Sequence, residues 1–277
     1  MTFVVKSITP SDISAMQLQQ VMQTAIAPRP IALASTINSK GKINLSPFSF
    51  FNMFSTVPPV VIISPSRRVR DNTTKHTLEN LKEVPELVIG NVNFEMVQQV
   101  SLASTEYEDG VNEFLKSGLT MKPAAIVKPP LIAESPVNFE CKVLEIKSLG
   151  NFGGAGNLVI AEIVKIHINE KYLDENGNLD QKQLDLVARL GSNFYSRNNE
   201  NNIFEVPKPL VTKGIGYDKL PYEIKSSDIF TGNDLGMLAN VEILPIGDFS
   251  SEKDVHLVAQ KFLKTNEIKR AWEILKL

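Results

Sequence analysis

Residues 137–168 constrain the fold of this 277-residue chain more than any other segment. Val137, Phe139, Cys141 and Val143 alternate as one face of a strand must. Leu144 and Ile146 then resume the alternation one position out of step, as a β-bulge produces. After the glycine-rich loop GNFGGAGN, the side chains of Leu158, Ile160, Val164, Ile166 and Ile168 share one face that Glu162 alone interrupts. Two long strands joined by a short loop pair antiparallel, and such a hairpin needs a larger sheet around it.

The first third of the chain predicts more strands. Residues 30–37 put Ile31, Leu33 and Ser35 on one side and Ala32, Ala34 and Thr36 on the other, and Asn38-Ser39-Lys40-Gly41 is turn chemistry for a hairpin. Residues 44–52, NLSPFSFFN, read as a loop of alternating aromatic and hydroxyl or amide side chains. Residues 57–64 read as a buried strand entered through Pro58-Pro59.

Helices are expected over 10–23, capped by Ser11 or Asp12, from Thr73 or Thr74 to about Val84, and over 94–104, with a strand at 86–92. Residues 105–135 are irregular apart from a short helix at 112–117. Asp174-Glu175-Asn176-Gly177 is a turn, residues 181–190 carry a helical pattern ending at Gly191, and 252–275 read as one amphipathic helix. The fold class is a β-barrel with helices, all-β or α+β. The polar, then proline-containing segment 196–209 marks a boundary between a domain of residues 1–205 and a C-terminal extension, 206–277, packed on the barrel or on a dimer partner.

Composition excludes several classes of function. A formal charge of −2 gives no general attraction to nucleic acid or to an acidic membrane face, and no stretch approaches a membrane span. The single cysteine, Cys141, excludes an internal disulfide and reads as a buried, inert thiol, which fits a soluble cytoplasmic protein. The three histidines, His76, His167 and His256, lack metal-ligand spacing, and neither Ser35 nor Ser46 has a histidine placed to activate it. The glycines of 150–156 do not form GxGxxG and read as a flexible hairpin loop.

Two local patterns carry chemistry. Arg67, Arg68, Arg70 and Lys75 bracket the helix start expected at Thr73 or Thr74, where cations oppose the helix dipole unless an anion joins them. A phosphate could also take hydrogen bonds from Ser64, Ser66 or Thr77; a solvated basic loop is the alternative. Residues 44–52 offer flat apolar faces and a few polar edges, suited to a heteroaromatic ligand, although the phenylalanines could equally be core. Together the two patterns point to a phosphorylated aromatic cofactor.

RPIALASTINSKGKINLSPFSFFNMFS, PPVVIISPS, KHTLENLKE, NLVIAEIVKIHI and ARLGSNFY occur in the order found in the flavin reductase-like FMN-binding proteins, which this chain resembles over roughly residues 20–197. The resemblance implies an FMN-binding split barrel, a Greek-key antiparallel barrel with flanking helices. It also implies a homodimer with one FMN per subunit and reduction of the flavin by NADH or NADPH. Ser35 and Thr36 would border the flavin ring, and Ser46, Phe48, Ser49 and Phe50 would contact ring and ribityl chain. Ser64, Arg67, Lys75 and Thr77 would hold the phosphate. Arg189 and Tyr195 would return towards the site, or be a helix-terminal charge and a packing tyrosine.

Two departures from the family pattern stand out. His76 occupies a position where many members carry aspartate, and Gly156-Asn157-Leu158 replaces the Gly-Asp-His of reductases that release reduced flavin. The first reading is therefore an FMN-dependent oxidoreductase, and the second a flavoredoxin-like electron carrier or sensor that ignores nicotinamides and serves a redox partner protein.

Overall fold

The computed structural model describes residues 4–207 and 212–277, so the last two residues of the expected boundary segment lie outside it. The chain forms two compact units, Met1–Ile203 and Phe204–Leu277. In the first, the strands are β1 (Arg29–Pro30), β2 (Ala32–Ile37), β3 (Ile43–Phe48), β4 (Phe51–Thr56), β5 (Pro59–Ile63), β6 (Glu86–Asn91), β7 (Met121–Lys122), β8 (Leu131–Ile132), β9 (Val137–Ser148), β10 (Asn157–Ile168), β11 (Leu186–Arg189) and β12 (Tyr195–Asn198). Its helices are α1 (Ala15–Ala25), α2 (His76–Glu83), α3 (Val97–Ala103), α4 (Glu113–Ser117) and α5 (Gln181–Leu184).

Seven strands form one antiparallel sheet in the order β3-β2-β6-β9-β10-β5-β4. Its two edge strands, β3 and β4, are consecutive in the chain and joined only through Ser49 and Phe50. Laid flat, six strand spacings would separate them by about 29 Å, whereas the link from Phe48 to Phe51 reaches at most about 11 Å. The sheet must therefore curl until its edges meet at that link. With no ladder between them, the result is a split barrel.

Burial follows the curl. Ala32 and Ala34 face inward with Phe48, Val61, Ile63, Leu87, Ile89, Cys141, Val159 and Ala161, and Leu78 and Leu81 of α2 join that cluster. Ile31 and Leu33 point the other way into a second cluster with Leu45, Val88, Met96, Phe114 and Ile132. Both faces of β2 are thus core, as the apolar character of both parities required. The bulge lies where the parity change put it: Glu145 pairs with Ile160 and Val143 with Ala161, leaving Leu144 as the extra residue. On β10 the inward side chains are Val159, Ala161 and Ile163. The more continuous apolar stripe of 158–168 lies largely outward, with Ile166 and Ile168 exposed.

Several local expectations are corrected. Residues 44–52 are most of β3, a two-residue turn and the start of β4, not a loop. The first helix starts later, where Ser14 and Gln17 make a reciprocal capping box that Ser11 and Asp12 cannot. Helix α2 begins at His76 with Lys75 at its N-cap and no side-chain cap from Thr73 or Thr74, because Thr73 bonds Asp71 and Thr74 bonds Glu79 instead. The helical pattern of 181–190 yields only α5: Asp185 turns left-handed (φ 46°) and the chain continues as β11. A short ladder of β7 with β8 lies within the stretch read as irregular.

The second unit is helical: α6 (Tyr222–Lys225), α7 (Gly232–Ala239), α8 (Lys253–Lys264) and α9 (Ile268–Leu275). It has its own core of Leu220, Ile224, Phe230, Leu238, Leu263 and Trp272, among others. The single helix expected over 252–275 is broken at Asn266, whose φ of 60° ends α8. No helix among the described residues is long and apolar enough to cross a membrane.

Candidate functional site

Loop 64–75, which follows β5, is held on both flanks by main-chain bonds. The Arg67 amide donates to Ala155 O (2.8 Å) and the Gly154 amide donates to Arg67 O (2.9 Å). The glycine-rich hairpin loop is therefore a bed for the arginine loop rather than a free flap. A Cβ on Gly153 would lie 2.9 Å from Val69 O and 3.0 Å from Arg68 O, and one on Gly156 would lie 2.6 Å from Ser64 Oγ. Asn157, which replaces the aspartate of the family pattern, is buried and donates through Nδ2 to Pro65 O (2.9 Å).

Loop 64–75 separates two concavities. On one side, Arg68, Lys75, His76 and Thr77 line a small polar pocket with Asn44 and Ser46 of β3, Glu106, and Glu113 of α4. On the other, Val69 lines an apolar cleft of about 390 Å³ with Phe50, Gly153, Gly154, Arg29, the α1 residues Leu18 and Met22, and Ile26 just after α1. The cleft is of a size to hold a planar ring system.

The cations differ in how they are used. Arg67 folds onto Asn72, donating to its Oδ1 and its carbonyl at 2.7 Å each. Arg68 donates to Glu106 Oε1 (3.0 Å), Thr73 Oγ1 (2.9 Å) and Thr74 O (2.5 Å), and Arg70 reaches Asp71 and Glu106. Lys75 lies over the Phe48 ring, its Nζ 5.6 Å from the centroid, with no carboxylate or carbonyl partner among the described residues. Burial lowers the Lys75 pKa and the Arg68 charge lowers it further, while Glu106 pulls the other way. An unpaired, half-buried cation in a polar pocket favours an incoming anion.

A buried polar chain supports that pocket. Glu113 accepts from Asn44 Nδ2 (2.7 Å) and the Leu45 amide (2.9 Å), and Asn44 Oδ1 accepts from Thr77 Oγ1 (2.6 Å). Burial pushes the Glu113 carboxyl up, against the bonds that lower it. Thr77 is thereby a structural hydroxyl that fixes the start of α2 rather than an open donor.

Arg29 anchors the end of α1 at the floor of the cleft. It is 7% exposed and donates to the carbonyls of Gln23, Ile26 and Leu190, the last two at 2.5 and 2.9 Å. Burial lowers its pKa, and so does the nearby Arg189 charge. Arg189 sits opposite Arg29 across the β1–β11 ladder and stacks on Tyr195, 4.6 Å from guanidinium carbon to ring centroid.

A flavin reductase like domain, known as a family, matches residues 24–202. A protein of Aquifex aeolicus described only as uncharacterized is 36% identical over 195 residues, covering 70% of this chain and 94% of its own. The chain belongs to the flavin reductase-like family. A second uncharacterized relative, from Halalkalibacterium halodurans, is 31% identical over 208 residues, covering 74% of this chain and 98% of its own. Among solved structures, nitrilotriacetate monooxygenase component B from Bacillus cereus superposes with a TM-score of 0.69 at 23% identity, over 74% of this chain and 100% of that one. The Pseudomonas fluorescens 2-nitrobenzoate 2-nitroreductase gives 0.64 at 27% identity, over 76% and 100%.

On this flavin reductase-like frame the expected site residues fall into separate groups. Ser46, Lys75 and Thr77 line the polar pocket, and Phe48 forms its apolar backing. Phe50 lines the cleft, and Ser49 lies beside it against Arg29, at 3.5 Å. Ser64 lies close against Gly156, and Arg67 is turned onto Asn72, so that Arg68 lines the polar pocket and Arg67 does not. Ser35 and Thr36 are fully buried in β2, where Thr36 accepts from Asn80; they support the barrel wall and line neither concavity. Arg189 and Tyr195 form a pair of their own beside Arg29, on paired strands rather than at a helix end.

Sequence reasoning missed Glu106, in the stretch read as irregular, and Glu113, in the short helix expected at 112–117. His167, which lacks metal-ligand spacing to the other histidines, has a different partner. Its Nε2 lies 2.6 Å from Glu140, a fully buried carboxylate that accepts from the Ala125, Ile126 and Val127 amides.

Proposed function

We propose that the protein binds FMN and transfers hydride to it from NADH or NADPH. The observation that carries this reading is a single loop lining two unlike concavities, Val69 in the apolar cleft and Arg68 in the polar pocket where Lys75 has no carboxylate partner among the described residues. A ligand with a planar ring at one end and a phosphate at the other matches that pairing, and Ser46, Phe48 and Phe50 span the distance between the two ends. Lys75 and Arg68 would hold the phosphate through charge-assisted bonds. Phe50, Val69 and the apolar side of α1 would exclude water from the ring, and Arg29 would keep α1 in place by binding its last carbonyls. When bound, the flavin supplies the two-electron chemistry, taking hydride at its N5.

A homodimer carries out this reaction. Helix α1 buries none of its residues although Met16, Val21 and Met22 are apolar, and Met53, Phe54 and Val57 are exposed on or just after edge strand β4. A second copy is the partner these surfaces call for, and light scattering of the eluted protein tests it.

The decisive assay is oxidation of NADH and NADPH by the purified protein with added FMN. Turnover above the free-flavin background with at least one donor is expected. FMN binding without turnover would favour the electron-carrier reading, which Asn157 supports: where the family pattern continues Gly-Asp-His, this chain has a buried amide bonded to Pro65 and then Leu158. Failure to bind FMN would overturn both.

A further inference from the structure

A second cleft of the first unit, larger than the one beside Phe50, takes no part in the site described above. It encloses about 520 Å³ between edge strand β4 and the short sheet β1-β11-β12. Pro28 and Pro30 line it while Arg29 lines the ring cleft, and Phe51 lines it while Phe50 lines the ring cleft. The two clefts therefore share a wall at the start of β1 and of β4.

The cleft runs deep. Its inner end is made by Val61, Phe139 and Ile163 of the barrel's inward cluster, and its flank by Ile31, Val92 and Val187 of the other cluster. Ile166, 52% exposed, and Met53 stand at its mouth. Its size is that of a small-molecule site. A flat protein surface could close the mouth but could not reach the inner end.

The lining also selects the occupant by charge. None of the side chains around the cleft is acidic, basic or a histidine. The polar ones are neutral: the carboxamides of Asn52, Asn91 and Asn198 and the hydroxyls of Ser55 and Thr56. Asn91 and Asn198 make no side-chain hydrogen bond among the described residues. Ser196, paired with Ala188 of the lining, has a buried Oγ without a partner. An ion entering here would lose its hydration and gain no counter-charge. An uncharged ring would gain apolar contact, and a hydroxyl or carbonyl at its edge would meet amides able to donate and to accept.

We propose that this cleft is a binding site for an uncharged, largely apolar small molecule that carries a hydroxyl or carbonyl at its edge. No residue lining it is assigned to FMN, so the site does not depend on flavin binding.

The probes are 2-naphthol, neutral at pH 7, and naphthalene-2-sulfonate, the same ring system bearing a charge, each titrated calorimetrically into the full chain. 2-Naphthol should bind, and the sulfonate should bind at least about tenfold more weakly. Ile163→Phe, which fills the inner end, and Ile166→Glu, which charges the mouth, should each weaken 2-naphthol by about tenfold. Ile166 is half exposed, so its variant keeps the fold and decides the matter should Ile163→Phe not fold. Met22→Glu, in the ring cleft, should leave 2-naphthol binding unchanged. No binding of 2-naphthol, equal binding of the sulfonate, or full affinity in Ile166→Glu overturns the proposal. So does a result in which Phe54→Glu, on the exposed face of β4, splits a dimer by light scattering and 2-naphthol binds only the separated chains, because a second copy would then fill the cleft.

Discussion

Replacing Gly153 with alanine tests whether the hairpin loop positions the arginine loop. The new Cβ would meet Val69 O at 2.9 Å, and Arg68 O and Val69 Cα at 3.0 Å. All three are main-chain atoms, so no side chain can swing aside, and one of the two loops must move by several tenths of an ångström. Overpacking of this kind costs about 1–3 kcal/mol. If loop 64–75 absorbs the shift, Arg68 and Val69 leave their positions together, and FMN affinity falls by about five- to 150-fold at 1.4 kcal/mol per decade. Riboflavin should lose affinity too, since Val69 lines the ring cleft. The fold itself, with its core elsewhere, should lose no more than about 10 °C in melting temperature.

Gly150→Ala is the matched control, because its Cβ would meet only Ala155 Cβ at an ordinary 3.4 Å. Fluorescence titration and a thermal melt on both variants supply the readings. Gly153→Ala protein that binds both flavins within twofold of wild type would refute the idea that these glycines seat the site.

Three more outcomes are expected. Lys75→Met should weaken FMN by about 1.5–3 kcal/mol, roughly ten- to 150-fold, and leave riboflavin nearly unchanged, because a charged hydrogen-bond partner is lost only to the phosphate; equal loss for both ligands would place the phosphate elsewhere. Arg68→Ala should cost FMN more affinity than Arg67→Ala, since Arg67 is committed to Asn72, and the reverse ranking in the same titration would reject the assignment. For Glu140, burial alone would raise the carboxyl, but bonds from His167 and three amides outweigh it and carry the pKa to about 2. Because the folded value lies below the unfolded one, its contribution is complete above pH 4.5 and is lost as pH falls towards 2. Urea unfolding at pH 7, 4.5 and 3 should show a steeper acid loss in wild type than in Glu140→Gln, and parallel curves would deny Glu140 that role.

What could be read from sequence and what could not divide along a physical line. The parity break at Leu144 and the two-faced apolar pattern of 31–36 were legible because side-chain direction in a strand depends only on position along the chain. The edges of elements were less so. Ser11 and Asp12 have the chemistry of a helix cap, but Ser14 wins because only it has a glutamine three residues on to complete the box. Asp185 turned a helical pattern into a strand through one left-handed residue, which no periodicity announces.

The same line runs through the site. Local pattern pointed to the residues beside both concavities, aromatic at 48–50 and basic at 67–75, but it could not rank four neighbouring cations. Their ranking depends on which carboxylates and carbonyls the fold brings from afar. Glu106 lies 38 residues beyond Arg68 and Glu113 lies 68 beyond Leu45, yet one neutralises an arginine and the other fixes the strand that carries Ser46. Local sequence gives every cation in a cluster the same claim on a phosphate. The fold assigns three of them to internal partners and leaves Lys75, backed by Phe48, as the one with its charge still to be met. In such a basic cluster, the acids that are distant in sequence decide which cations are left free to meet an anion.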